Sequence, residues 1–523
     1  AEATAVLLTS TRRYLGMATK RKLSNGVMPL ITGSGPWRDA AFKASRTLDV
    51  TAPATGDTIA RVELSASADV DRAVATAAAE LPKWSEMTIK RRAGIMFKFH
   101  SLVDQHKDEL IDLIMRENGK NHVEAAGDVA KGLETVEWAC SMPQLAQGKH
   151  LTVSSGITCH EIRDPVGVVA CIVPFNFPFM VPMWTVPIAL TAGNCVILKP
   201  SEKVPLTMSR AAELLAEAGV PPGAFQMVQG DAEVVNALCD HKGIAALTFV
   251  GSSHVAELVH TRARAAGKKV LALGGAKNHL VAAPDCAIDM AAADIVASFA
   301  GCSGQRCMAA SVLVTIGEQP RLLEAVVSKA KALGRGQDGG CVGPVIDARS
   351  RDRIVRIISD AEKAGASVLL DGRPWSSDGQ SGTWVGPTVL LFPSSMRGHE
   401  ALTTEIFGPV LSVIAAKDAA EALEIENADP HGNAACIYTQ SGAVADFFSR
   451  RFGAAQVGVN IGVPVPREPF SFGGLEGSRS KFGEHDITGE GGMNFFTKVR
   501  KITTKWTTSP DAPPDCANFG GTM

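Results

Sequence analysis

The sequence has no large excess of either charge: 52 Lys and Arg stand against 54 Asp and Glu, a formal net charge of −2 over 523 residues. Without a global positive field nothing recruits nucleic acid or an anionic membrane, and neither is expected as a partner. Cysteine is also scarce, with 11 residues, an odd number, scattered along the chain. That is too sparse for a disulfide-stapled scaffold and fits a compartment where thiols stay reduced. No segment repeats at a fixed period, which excludes solenoids and propellers. What the chain does have is apolar content, 46% hydrophobic against 20% charged, ample for buried cores and unlike disorder. Its 50 glycines predict many tight turns and close backbone approaches.

Acids are nearly missing from the start. The first 37 residues hold one, Glu2, against Arg12, Arg13, Lys20, Arg21 and Lys22, with serines and threonines between them. Such a segment is expected of a transit peptide, here predicting the mitochondrial matrix, with a solvated basic tail as the alternative. Residues 508–523, rich in Pro, Gly and small polar side chains, are expected to form a loose tail. Charge is missing altogether from residues 165–198, a run of 34 that raises the question of a membrane span. Pro174, Pro178, Pro182 and Pro187 each remove a backbone donor there, and Asn176 and Asn194 add polar amides. The run therefore predicts a buried strand over 166–173, a proline-rich turn, a short buried helix and a strand over 195–198. It is protein interior, not membrane.

The alternation continues downstream. Leu206, Ala211, Leu214 and Leu215 mark one apolar face of a helix over 205–218, with Gly219 as its stop. Strands are expected at 225–228, 247–250 and 269–273, with helices through 234–239 and from 253 to about 266. Helices are also expected upstream, over 67–81 and 90–118, and a second α/β run spans about 279–459. The fold class is α/β: two domains, each a parallel sheet wound on both faces. Two segments, 149–163 and 494–506, are rich in Thr, Val, Ile and Phe and have no helical partner. Exposed edges are a liability unless paired, so these should pair into a small sheet shared across the subunits of a homo-oligomer.

No G-x-G-x-x-G follows any expected strand, so the standard dinucleotide fingerprint is absent. Gly251-Ser252-Ser253, between a strand and a helix, offers backbone N–H groups to a phosphate, and reads equally as an ordinary helix cap. Lys199-Pro200-Ser201-Glu202 lies at the C-terminal end of a strand, the edge where open α/β sheets bind ligands. Its lysine and glutamate suit ribose hydroxyls, or form an ion pair in a solvated turn. Most cysteines are inert core residues. Cys307 differs: it follows Arg306 in a turn after an apolar helical run, 291–300, and a neighbouring cation lowers a thiol's pKa. Asn176, set among phenylalanines and prolines, is an amide held in a rigid turn, as an oxyanion site requires; the alternative is a residue that only stabilises the turn. No metal site is read from the sequence.

In family order, Pro174-Phe175-Asn176-Phe177-Pro178, Lys199-Pro200-Ser201-Glu202, Phe249-Val250-Gly251-Ser252, Gly304-Gln305-Arg306-Cys307 and Glu405-Ile406-Phe407-Gly408-Pro409 resemble the successive motifs of the aldehyde dehydrogenase superfamily. Four further segments are similar to its CoA-acylating methylmalonate-semialdehyde dehydrogenase branch. These are Gly275-Ala276-Lys277-Asn278-His279, Arg306-Cys307-Met308, Glu117-Asn118-Gly119-Lys120 and Gly477-Ser478-Arg479-Ser480. The resemblance implies two Rossmann-like domains, an NAD-binding one over 38–146 and 166–275 and a catalytic one over 276–478. Oligomerisation strands at 147–165 and 490–507 would join a dimer or tetramer.

By the same resemblance, Cys307 attacks the aldehyde carbon, and the Asn176 side chain and the Cys307 N–H hold the oxyanion. Pro174 and Phe175 lie in the NAD site. Lys199 and Glu202 bind the adenosine ribose, and a carboxylate at Glu202 favours NAD over NADP. Gly251 and Ser252 lie near the pyrophosphate, Glu405 binds the nicotinamide ribose and Phe407 packs by the ring.

One absence decides the acyl acceptor. Hydrolytic members carry a glutamate in Leu-Glu-Leu-Gly-Gly, where it activates water. This chain has Leu271-Ala272-Leu273-Gly274-Gly275, so Ala272 occupies that position, or Leu273 if the register is set by Gly275-Ala276-Lys277-Asn278-His279. Water, with a pKa of about 15.7, needs such a base, whereas a thiol at about 8.5 supplies thiolate unaided. The resemblance thus implies transfer to coenzyme A, converting malonate or methylmalonate semialdehyde to acetyl-CoA or propionyl-CoA with loss of the carboxyl carbon. Arg306 and Lys131 are the expected cations for the substrate carboxylate. Lysine stands at 131 where the branch has arginine, and cannot clamp a carboxylate in bidentate fashion. The alternatives are a hydrolytic enzyme with Glu405 as base, or an idle family member kept for structure or binding.

Overall fold

The computed structural model describes residues 46–154 and 156–506; the segment 1–37 and the tail 508–523 lie outside them. The described chain opens with an antiparallel hairpin, β1 (Arg46–Thr51) and β2 (Thr58–Leu64). Four helices follow, Ser67–Glu86, Ile89–Gln105, Lys107–Asn118 and His122–Leu145. The single helix expected over 90–118 is therefore two. His106 leaves helical geometry at φ −109° and ψ 16°. Asp108 and Glu109 then open a fresh first turn, where acids complement the helix dipole. The second of the pair ends at Gly119 with φ +90°, as its glycine predicts.

After β3 (His150–Ser154) and β4 (Ile157–Pro165) comes the first parallel sheet: β5 (Val168–Ile172), β6 (Cys195–Lys199), β7 (Phe225–Met227), β8 (Ala246–Val250) and β9 (Lys269–Leu273). Every residue of β5, β6 and β8 is buried, because helices cover both faces of the sheet. The strand order β9-β8-β5-β6-β7 places β5 at the switch point, with β6 and β8 on either side. Ligands of such sheets lie beyond the C-terminal ends of those strands. The charge-free run resolves into β5, the helix Met180–Ala192, buried from its second residue onward, and β6. Among the described residues no helix is long and apolar enough to cross a membrane.

The second sheet comprises β10 (Asn278–Ala282), β11 (Ala310–Ile316), β12 (Ser367–Leu370), β13 (Thr388–Phe392), β14 (Val410–Ala416), β15 (Ala434–Tyr438) and β16 (Gln456–Val459). Its order is β12-β13-β14-β11-β10-β15-β16, parallel except at β12. Strand periodicity divides β11 between two cores. Val312 and Val314 pack with Ile354, Ile357 and Phe448. Leu313 packs on the opposite face with Ile295, Phe299 and Val326. The chain then returns to the first sheet, where β17 (Lys481–Phe482) adds an antiparallel edge to β9. Last, β18 (Thr497–Lys505) pairs with β4 from Thr497↔Pro165 to Lys505↔Ile157, and β4 with β3. The two orphan segments thus satisfy each other within one chain.

Candidate active site

The first wall of the site is the C-terminal edge of the first sheet, where β5, β6 and β8 end as neighbours. Lys199, the last residue of β6, is buried and donates to the carbonyls of Pro200 and Gly230, each at 2.7 Å. It also meets Glu202 Oε2 at 3.3 Å. An ammonium has three donors, so these three partners occupy Lys199, and its contact orients Glu202, whose carboxylate is the partly exposed partner. Beyond β8, a Cβ on Gly251 would lie 2.5 Å from the Phe249 ring, so only glycine fits there without displacing the ring. Ser252 starts the helix Ser253–Ala265 without a side-chain capping bond, leaving first-turn N–H donors for an anion. These residues fit a dinucleotide: uncapped donors for phosphate and an oriented carboxylate for ribose hydroxyls. Phe175 meets Phe407, which precedes β14 of the second sheet, edge-to-face, with ring centroids 5.8 Å apart.

Asn176 follows in the turn after β5. It is buried, and its Nδ2 donates to the carbonyl of Gln305 at 3.0 Å, which brings it to the turn that carries Cys307. The amide nitrogen has a second hydrogen, available for an oxyanion. The Asn176 main chain is fixed from below. Lys120 Nζ donates to the Asn176 carbonyl, and Asn118 Nδ2 donates to the Phe175 carbonyl at 2.8 Å.

The second wall is the N-terminal edge of the second sheet. The helix Ile288–Ala300 ends, the chain turns through Cys302 and Ser303 at φ +49° and +56°, and Cys307 follows just before β11. Phe407, at φ +53°, is a third non-glycine residue in the left-handed region. These three lie in the two turns of this wall, while the other two such residues among those described, Asn460 and His485, lie elsewhere, so most of this backbone strain gathers at the site. A Cβ on Gly304 would sit 2.0 Å from the Gly408 carbonyl, so glycine there lets the two turns touch.

Two buried amides hold the Cys307 carbonyl: Asn278 Nδ2 at 2.7 Å and Asn433 Nδ2 at 3.0 Å. Asn278 Oδ1 accepts from Ala434 N at 3.0 Å, and Gln456 donates to Asn433 Oδ1 at 3.0 Å. Asn278 and Lys120 stand inside segments already singled out in the sequence, but without a role. Asn433 had no local signal, since only the pairing of β10 with β15 brings it to the cysteine.

The expected activation of the thiol by Arg306 is not what the structure contains. The Arg306 guanidinium turns back toward Gly301, lies 3.8 Å from Glu124 and acts electrostatically on Cys302. The Cys307 thiol is pushed up to about 12, first by burial and then by the negative charge of Glu405. Adjacency in sequence fails as a guide because consecutive side chains leave a turn in different directions. Glu405 is itself raised to about 7 by burial, against the opposing pull of the Ala276 N–H, His431, Lys277 and Arg353. The end of β9 supplies no acid, since Leu271, Ala272 and Leu273 are buried apolar residues. Lys131 is bound by both oxygens of Glu134, at 2.8 and 2.9 Å. Both candidate cations for a substrate carboxylate therefore already face carboxylates of the helix His122–Leu145.

The profile of the aldehyde dehydrogenase family matches residues 39–502, and the chain belongs to that family. It is 40% identical over 478 residues to malonate-semialdehyde dehydrogenase 1 of Geobacillus kaustophilus, covering 90% of this chain and 96% of that one. It is 42% identical over 460 residues to malonate-semialdehyde dehydrogenase 3 of the same organism, covering 87% and 94%. Among solved structures it is similar to methylmalonate-semialdehyde dehydrogenase of Oceanimonas doudoroffii, with TM-score 0.89, 37% identity, and 92% and 99% of the two chains covered. A Sinorhizobium meliloti protein described as methylmalonate-semialdehyde dehydrogenase, solved with NAD, gives TM-score 0.88, 36% identity and the same coverage. These relatives are bacterial, which overturns the mitochondrial destination expected from the N-terminus. An acid-poor basic segment is a compositional signal that other basic tails share.

Proposed function

We propose that this protein oxidises malonate or methylmalonate semialdehyde through a thioester on Cys307 and passes the acyl group to coenzyme A, with loss of the carboxyl carbon. One observation carries the choice of acceptor: the strand β9 ends in buried apolar residues where a water-activating carboxylate would stand. Attack of the Cys307 sulfur on the aldehyde carbon places negative charge on the aldehyde oxygen. The free hydrogen of Asn176 Nδ2 and the Cys307 N–H would hold it. The thiol must first lose its proton to base from solvent, a step that its burial and the charge of Glu405 oppose. NAD, when bound, supplies the hydride acceptor. Glu202, Gly251, Ser252, Glu405 and Phe407 would hold it, Lys199 would orient Glu202, and Pro174 and Phe175 would shape the turn beside it. Arg306 or Lys131 would meet the substrate carboxylate by displacing an internal partner. The exposed Leu151, Val153, Ile162 and Val499 of the small sheet would be covered in a homo-oligomer.

The test follows NADH absorbance after mixing enzyme, NAD and malonate semialdehyde, with and without coenzyme A. About one equivalent of NADH per site without coenzyme A, and sustained turnover with it, is the expected result. A second reading rests on Glu405: burial raises its carboxyl to about 7 and its charge reaches the thiol, so it could instead activate water. Full-speed turnover without coenzyme A would establish that alternative.

A further inference from the structure

The helix Lys107–Asn118 and the glycine after it end in the segment Glu117-Asn118-Gly119-Lys120, which the chemistry above leaves without a role. Its polar side chains all face inward. Glu117 accepts from the backbone N–H of Leu206 at 2.6 Å and of Thr207 at 2.9 Å, closing the start of the helix that follows the Lys199–Glu202 turn. Asn118 holds the Phe175 carbonyl at 2.8 Å. Lys120 is 3% exposed. Its ammonium donates to the Asn176 carbonyl and, at 3.1 Å, to Asn118 Oδ1. It lies 3.3 Å from the buried carboxylate of Asp128 and 4.3 Å from the centre of the Phe177 ring. Asp128 in turn accepts from Met180 N at 2.7 Å, at the start of the next helix. Residues 175 to 177 are thus gripped in order by Asn118, Lys120 and the ring contact, and the grip ends on two helices.

A buried ammonium is a costly way to stabilise a turn, because desolvation offsets most of its attraction to Asp128. Its strength lies in geometry: three donors in fixed directions, with the carboxylate and ring setting where the nitrogen sits. We infer that Lys120 is a positioning residue for the oxyanion donor, acting through the Asn176 carbonyl to aim the free hydrogen of Asn176 Nδ2. This rests on the proposed role of Asn176. A shift of about 1 Å in a positioned group costs up to about a hundredfold in rate.

The test is a cycle of variants read by the rate of the NADH burst and by the KM for NAD. Lys120→Met alone strands the Asp128 carboxylate and risks misfolding, so it is made together with Asp128→Asn, which keeps an oxygen for Met180 N. In the wild-type background the pair should lose between about tenfold and a hundredfold in burst rate, with KM for NAD unchanged. In an Asn176→Ala background the same pair should lose nothing further, since no donor is left to aim. An equal loss in both backgrounds, or no loss in either, would overturn the inference while leaving Asn176 its role. A wild-type burst rate in Asn176→Ala alone would remove the catalytic assignment, and this positioning role with it.

Discussion

The two walls of the site come from opposite edges of their sheets. Residues of the first wall follow their strands: Asn176 after β5, Lys199 and Glu202 at the end of β6, Gly251 after β8. Those of the second wall precede theirs: Asn278 opens β10, Cys307 comes before β11, Glu405 and Phe407 before β14, Asn433 before β15. Helix polarity makes the walls unlike. Beyond β8 a helix begins, so partial positive charge and free N–H groups face the site and suit an anionic ligand. Before β11 a helix ends, so no helix N-terminus favours a thiolate; burial and the charge of Glu405 outweigh the Cys307 and Met308 N–H groups, and the thiol sits well above its ordinary range. The supports differ too. Asn176 is fixed by a buried cation on its carbonyl, Cys307 by neutral amides on its carbonyl. A permanent cation beside the sulfur would fix it as thiolate; neutral amides hold it in place without setting its protonation.

The largest expected effect removes the second wall's sulfur. Cys307→Ala should abolish NADH formation while leaving NAD binding, measured by fluorescence quenching, intact. Any turnover beyond background would mean that the chemistry lies elsewhere. Removing the first wall's donor costs less: Asn176→Ala should slow the burst on the order of a hundredfold or more, the scale of one oxyanion donor. A drop of about tenfold or less would reduce Asn176 to a structural turn residue.

That contrast also explains what could be read in advance. The rule that α/β sheets bind ligands at C-terminal strand ends pointed to Lys199–Glu202 and Gly251–Ser252 from local pattern alone. No comparable rule covers an N-terminal edge, so Cys307 emerged only as a cysteine in an unusual turn, and Glu405 and Phe407 only through family motifs. Strand positions came through well because buried parallel strands are nearly continuous apolar runs. The break at His106 did not, since helical periodicity runs on through it. Lys120 and Asn433 act over 56 and 126 residues of separation, on carbonyls that no side-chain pattern reveals. The direction of Arg306 was misjudged for a related reason: sequence gives neighbours along the chain, not the way a turn faces.

The neutral grip on Cys307 can be loosened by half. Asn278→Ala removes one of two donors to its carbonyl and the acceptor of Ala434 N. Leaving such groups unpaired should cost roughly 1–3 kcal/mol in urea unfolding, and the burst should slow by less than in Asn176→Ala because Asn433 still holds the carbonyl. Equal losses in the two variants would mean the grip has no redundancy. The charge on the thiol can be changed separately. Glu405→Gln takes away a negative neighbour, so the thiol's pKa should fall and iodoacetamide should alkylate Cys307 several-fold faster at pH 8. In both forms the rate should climb about tenfold per pH unit below the thiol pKa. Alkylation that is no faster in the variant would show that burial alone sets the thiol.

The smallest effect concerns the two candidate cations, Lys131 and Arg306, each of which already faces a carboxylate. Lys131 is held by both oxygens of Glu134, and its side chain is 36% exposed. Arg467 reaches the same carboxylate at 4.0 Å, and its side chain is 72% exposed. A substrate carboxylate that binds at Lys131 must compete with Glu134, a partly solvated partner worth roughly 0.2–1 kcal/mol. Glu134→Gln should therefore lower the KM for a carboxylated aldehyde by up to about fivefold and leave that for a simple alkyl aldehyde unchanged. The sign matters more than the size. If Lys131 serves the substrate, releasing it can only help the charged aldehyde. An equal change for both aldehydes would place Lys131 outside the substrate site and leave Arg306 as the cation to examine.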